Sequence, residues 1–138
     1  MTLIKEMEYS RDWKTEILAR GFYKDYEYLC VSYGCHPCAY IAISEGQPYY
    51  KAKSYDEVEI DCHGGCTYAE WGYSGIFNSN YKVIGWDYGH CNDYSGIYEK
   101  DSPLYNQCKK WTTQEMIEEC KEVIERLYRL EHFETFYK

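Results

Sequence analysis

The sequence predicts an α+β protein, a mostly antiparallel, tyrosine-rich sheet with a C-terminal amphipathic helix packed on one face. Three observations point there. Eighteen of the 138 residues are tyrosine, beside four Trp and four Phe, and aromatic side chains suit a half-buried pleated surface. From residue 26 to residue 88, short aromatic or β-branched runs alternate with turns containing Gly, Pro and Ser, the pattern of strands joined by tight connections. After residue 112 the apolar period becomes that of a helix.

In chain order, residues 1–12 mix charges and read as a frayed start or an edge strand. Trp13 to Leu18 fits either helix or strand, and Arg20-Gly21 predicts a break. Tyr26 to Tyr33 is a strand ended by Gly34. Pro37 fixes its own φ and biases His36 toward extended geometry, so Cys35-His36-Pro37 is a tight connection. Ala39 to Ile43 is a strand that either pairs antiparallel with the first or continues it past Pro37. Ser44 to Pro48 is a turn and Tyr49 to Asp56 a loop over the sheet. Val58 to Asp61 alternates apolar and polar, which predicts a half-buried strand. Thr67 to Trp71 reads as a further strand, Gly72 to Asn80 as a loop, and Tyr81 to Tyr88 as the clearest strand of all. Asn92 to Leu104 reads as a loop forming a flap over the site. Thr112 and Glu115 make a capping box. Apolar residues at 116, 117, 120, 123, 124, 127, 128 and 130 then trace a helix over 112–131.

A chain of 138 residues is most simply one domain, burying roughly 70% of its unfolded surface without staples. Its net charge of −8 argues against a partner of duplex nucleic acid, which needs a basic surface. A small anion needs only a local cradle of donors and stays open. No apolar run is long enough to span a membrane, and the first residues lack the apolar stretch of a signal peptide. The expected location is the cytoplasm. There the eight cysteines are thiols or metal ligands rather than disulfides.

The unusual chemistry gathers between Asp61 and Tyr94, with one cluster upstream. His36, His63 and His90 each lie close to glycine or proline turns and beside a strand-like run. Histidine titrates nearest neutrality, so two in one pocket can share acid and base roles, with Asp87 or Asp93 orienting an imidazole. His63 with Thr67 can bracket a phosphate, and His63-Gly64-Gly65 can present backbone N–H groups to an anion. Cys35-x2-Cys38 and Cys62-x3-Cys66 approximate a four-thiolate zinc site with one residue too many in the second pair. Neither a P-loop nor a dinucleotide fingerprint is present, and no cofactor is expected.

Taken together, His36-Pro37-Cys38-Ala39-Tyr40, His63-Gly64-Gly65 with Thr67-Tyr68, and Gly85-Trp86-Asp87-Tyr88 with His90, Asp93 and Tyr94 resemble a family of small phage and prophage proteins. The resemblance spans residues 30–95 and, by position only, the C-terminal helix. Small phage proteins include anti-defence factors that sequester or cleave nucleotide signals of host immunity, so by association the resemblance implies such a role. The leading expectation is a protein that sequesters a cyclic dinucleotide or ADP-ribose derivative, with self-association into a homo-oligomer also expected. The ligand would be held by His36, His63, Gly64, Gly65, Thr67, Tyr68, Trp86, Asp87, His90, Asp93 and Tyr94. A second reading is a phosphodiesterase with His36 or His63 as base, His90 as acid and Asp87 orienting a histidine. A third is a zinc-stabilised interaction module built on the cysteine pairs.

Overall fold

Five strands and one long helix carry the chain, in the order β1 (Glu16–Tyr23), β2 (Tyr26–Ser32), β3 (Pro37–Ile43), β4 (Tyr68–Tyr73), β5 (Phe77–Asp87) and α1 (Thr113–Tyr137). The computed structural model describes residues 4–98 and 107–137. All strand pairs are antiparallel and the sheet order is β1-β2-β3-β5-β4. This is the predicted α+β architecture, with α1 covering one face of the sheet.

The hairpins explain where strands begin and end. Lys24 and Asp25, with φ of 43° and 68°, link β1 to β2 in a two-residue turn whose twist suits a hairpin. Arg20-Gly21 is not a break but part of β1. Gly21 pairs with Tyr28, and a Cβ there would lie 2.5 Å from the Tyr28 hydroxyl oxygen, so the ring occupies the side chain's place. β2 and β3 are adjacent antiparallel strands joined through Cys35 and His36.

Two other expectations are overturned. Val58 to Asp61 forms no strand: it follows a 3-10 turn at Tyr55–Glu57, and Val58 and Ile60 point alternately into the helix-side core. Their alternation records burial, not a ladder. Gly72 to Asn80 is not a loop, because Tyr73 pairs with Phe77 and β5 starts there. Asn78, Ser79 and Asn80 are exposed residues of β5 and lie in the irregular stretch between the Tyr73–Phe77 and Trp71–Lys82 pairs.

The capping box forms as predicted. The Glu115 N–H donates to Thr112 Oγ1 at 3.1 Å and the Thr112 N–H to Glu115 Oε1 at 2.9 Å. Met116, Ile117, Cys120, Val123, Ile124 and Leu127 face the sheet and are buried, and α1 continues to Tyr137, beyond the expected end at 131.

Among the described residues the opposite face has no second layer and covers itself with aromatics. Leu29, Val31, Cys38, Tyr40, Ala42, Tyr73, Phe77 and Val83 form this second core. Arg20 of β1 reaches the Ile76 carbonyl at 3.5 Å and lies over the Phe77 ring. The two edges therefore approach, and the sheet curls around its tyrosines. Of the predicted flap at 92–104, residues 99–104 lie outside the described residues. The part before them is fastened, with the Tyr94 N–H on the Lys109 carbonyl at 2.8 Å and the Gly96 N–H on the Cys35 carbonyl at 2.9 Å. Among the described residues no helix is long and apolar enough to cross a membrane.

Candidate functional site

The strand ends on the aromatic face enclose a cleft of about 510 Å³ lined by Trp13, Tyr33, His36, Cys38, Tyr40, Thr67, Tyr68, Trp86 and Asp87. Strand alternation sets its floor. Cys38 and Tyr40 share one face of β3, Asp87 pairs with Cys38, and Tyr68 pairs with Gly85 opposite Tyr40. Gly85 is open enough for the Tyr40 ring to lie over it. Tyr40 and Tyr68 meet edge-to-face at 5.2 Å. Tyr33 bridges the hydroxyls of Tyr40, at 2.7 Å, and Tyr73. Burial pushes the Tyr40 phenol far above its ordinary pKa, so Tyr40 stays neutral. Trp13 comes from the segment before β1, which the Ser10 N–H ties to the Gly34 carbonyl at 3.0 Å. It is 71% exposed and stands edge-on to His36 at 6.1 Å.

The polar wall is Asp87, Thr67 and His36. Thr67 Oγ1 donates to Asp87 Oδ2 at 3.2 Å, and the Gly89 N–H donates to Oδ1 at 3.0 Å. His36 Nδ1 lies 3.2 Å from the Pro37 carbonyl and 3.7 Å from Cys38 Sγ. A carbonyl only accepts, so the Pro37 contact belongs to the tautomer with the proton on Nδ1, in which Nε2 is an acceptor. Burial, then the nearby Asp87 carboxylate, pushes the Cys38 thiol up to about 12. Cys38 is therefore a protonated wall atom rather than a nucleophile. Among the described residues no lysine or arginine lines the cleft.

A second cluster lies beyond the end of β5, beside α1. Asp93 is 3% exposed and takes three donors. His63 Nε2 is at 2.7 Å and the His90 N–H at 3.0 Å from Oδ2, and Trp111 Nε1 is at 2.8 Å from Oδ1. The His63 ring stacks on Tyr88 at 4.8 Å and meets Trp111 edge-on at 4.9 Å. Its own N–H donates to Glu119 at 2.8 Å. Tyr88, held protonated by burial and by Glu119, donates to the same carboxylate and accepts from Trp86 Nε1 at 3.1 Å. The chain of contacts joins the His63 turn, the end of β5, the loop at 93 and α1. His63 is thus a structural tie.

His90 lies between the two clusters. Its Nε2 is 3.3 Å from Asp87 Oδ1 but is not aligned for a hydrogen bond. The ring presses on Gly64, whose φ is +71° and where a Cβ would fall 2.2 Å from Nε2. Glycine is required there for both conformation and space.

The predicted residues therefore divide. His36, Thr67, Tyr68, Trp86 and Asp87 meet at the cleft, although the Trp86 indole belongs to the helix-side core, so strand backbone is what it offers. His63, His90 and Asp93 meet beside α1, with Gly64 under His90. His63 and Thr67 turn to different carboxylates and do not bracket one space. Gly65, at φ +84°, only shapes the turn. Tyr94 is buried against Tyr9 at 4.7 Å and lines no wall. The cysteine pairs part as well: Cys38 belongs to the aromatic-face core, while Cys62 and Cys66 pack against the helix-side core. Among the described residues no three His, Cys, Asp or Glu side chains converge to hold a metal.

Tyr33, Tyr40 and Trp13 line the cleft outside the expected ligand-holding set, although Tyr40 closes the motif that begins at His36. Alternation along His36–Tyr40 could have found Tyr40, whereas nothing near Trp13 in sequence signals its place. No family model, curated protein or solved structure matches the chain.

Proposed function

We propose that the protein binds a small nucleotide without cleaving it, holding the base among Trp13, Tyr33, Tyr40 and Tyr68 with the phosphates toward solvent. The observation that carries this reading is the cleft itself, which sets four aromatic side chains beside Asp87, Thr67 and His36. Its volume of about 510 Å³ falls within the roughly 300–1,000 Å³ of small-molecule sites. A base stacked on an aromatic ring gains on the order of 1–3 kcal/mol. With no cationic side chain among the described wall residues, the cleft grips a ring better than a phosphate.

Sequestration is favoured over turnover by what the cleft lacks. His36 is the one histidine on its walls, the Cys38 thiol is held protonated, and His63 is committed to Asp93. The two-histidine acid–base pair of the phosphodiesterase reading therefore does not assemble in this cleft, and the carboxylate beside His36, Asp87, is held by Thr67 and the Gly89 N–H. The link to phage anti-defence, with a cyclic dinucleotide or ADP-ribose derivative as the sequestered signal, rests on the motif resemblance across residues 36–94.

The test is retention. Purified protein is mixed with cyclic dinucleotides, ADP-ribose derivatives and nucleoside monophosphates, filtered, heat-denatured, and its supernatant analysed by mass spectrometry. The reading expects a nucleotide held before heating and returned intact, with retention at least about tenfold weaker in Trp13→Ala. Smaller products in excess of protein, or no retention of any nucleotide, overturns it.

A further inference from the structure

The acceptors on the cleft wall select among bases. We infer that the cleft recognises a guanine edge, with Asp87 as the residue that determines the specificity. The inference rests on the reading that a nucleotide base enters the cleft.

The argument is an account of donors and acceptors. A carboxylate offers about four lone-pair sites, two on each oxygen. Asp87 Oδ2 accepts from Thr67 and Oδ1 from the Gly89 N–H, which leaves one acceptor position on each oxygen, with the unaligned His90 Nε2 flanking the Oδ1 side at 3.3 Å. Asp87 lines the cleft with its side chain 25% exposed. The hydroxyls nearby are committed elsewhere: Thr67 donates to Asp87, Tyr68 to the Gly72 carbonyl at 3.2 Å, and Tyr33 and Tyr40 pair with each other. In its Nδ1–H tautomer His36 adds one further acceptor, Nε2. The wall thus presents paired acceptors and calls for paired donors.

Among the common bases, guanine alone carries two adjacent donors on its pairing edge, N1–H and the N2 amino group. They match the two oxygens of a carboxylate in a bidentate, charge-assisted pair. Adenine places the N1 lone pair opposite the carboxylate, which repels it. Hypoxanthine keeps N1–H and lacks the amino group, so it retains one of the two bonds. Cytosine offers one donor beside an acceptor, and uracil one donor between two acceptors. The aromatic rings stack any base, and Asp87 supplies the discrimination.

The experiment is isothermal titration of guanosine, inosine and adenosine monophosphates into wild-type protein and into Asp87→Asn. For wild type the expectation is tightest binding by the guanosine nucleotide, about tenfold weaker by inosine and at least about a hundredfold weaker by adenosine. In Asp87→Asn, with its fold checked by circular dichroism, the guanosine preference collapses to within about threefold of adenosine. Equal binding of the three by wild type, or a preference for adenosine, overturns the guanine assignment and leaves nucleotide binding standing. Selectivity that persists in a folded Asp87→Asn also overturns it. Failure of all three to bind removes the nucleotide reading and this inference with it. The wild-type series decides the matter even if the variant does not fold.

Discussion

Replacing Asp93 by asparagine tests the network that fixes the end of β5 against α1. The carboxylate is buried and receives three donors, from His63 Nε2 and the His90 N–H on one oxygen and from Trp111 Nε1 on the other. An asparagine amide has one accepting oxygen and one donating NH2. If the oxygen faces His63 and His90, the NH2 confronts the Trp111 N–H; the reverse orientation leaves two donors confronted. At least one donor is orphaned either way, at roughly 1–3 kcal/mol, and the surviving bonds lose charge assistance worth about 1 kcal/mol each. Relief from burying a charge offsets part of this, so the net cost is about 3 kcal/mol. At this chain length the fall in Tm is roughly 10 °C. Urea and thermal unfolding followed by circular dichroism measure both. A loss smaller than about 0.5 kcal/mol would refute the reasoning, because it would mean that the three donors do not depend on the carboxylate.

Further outcomes follow from the same geometry. Gly64→Ala adds a Cβ 2.2 Å from the His90 ring, whereas Gly65→Ala meets nothing within 4 Å; both carry left-handed strain. Gly65→Ala should cost about 1 kcal/mol and Gly64→Ala at least about 1 kcal/mol more, so equal losses in chemical denaturation would contradict the contact. The Cys38 and Cys62 thiols are each pushed up to about 12 from an ordinary 9, chiefly by burial. A raised folded-state pKa means the unfolded chain releases these protons first, so their contribution to stability is intact below pH 9 and declines as pH rises toward 12. The urea midpoint should fall above about pH 9 and fall less steeply in a Cys38→Ala, Cys62→Ala variant; an unchanged slope would contradict this assignment. Thr112→Ala removes the N-cap and should cost about 1 kcal/mol, read from the urea midpoint, with no change counting against the cap's contribution.

Much of the fold was legible because local signals agreed with it. The stripe from Met116 to Leu127 and the Thr112–Glu115 box identified α1, and the aromatic runs after Tyr26 and Tyr81 identified β2 and β5. What was hidden depended on contacts distant in sequence. Asn78-Ser79-Asn80 looks like a loop until the Phe77 and Lys82 pairs with β4 enclose it within β5, and Gly21 looks like a break until the Tyr28 ring takes its side chain's place. Val58 and Ile60 alternate as a strand would, yet they bury against the core without a ladder partner.

The candidate site was legible in the same partial way. Glycine-flanked histidines marked the right end of the sheet but not their division into two clusters. That division follows from strand alternation at the end of β5: Trp86 and Tyr88 turn toward α1 and draw in His63, while Asp87 between them turns to the cleft. The acceptor pair on Asp87 depends on Thr67, twenty residues earlier, and on the Gly89 N–H. Neither partner is visible from sequence spacing.

The most direct test of base binding at the aromatic cleft uses the protein's own indoles. Trp13 lines the cleft, Trp71 lies over Lys82, Trp86 bonds Tyr88, and Trp111 bonds Asp93, so four indole N–H resonances report four places. In a titration with a purine nucleotide followed by 1H–15N correlation spectra, the Trp13 resonance should shift progressively while that of Trp111 holds still. A Trp111 shift with Trp13 unmoved would place the ligand at the His63–Asp93 cluster and contradict the account.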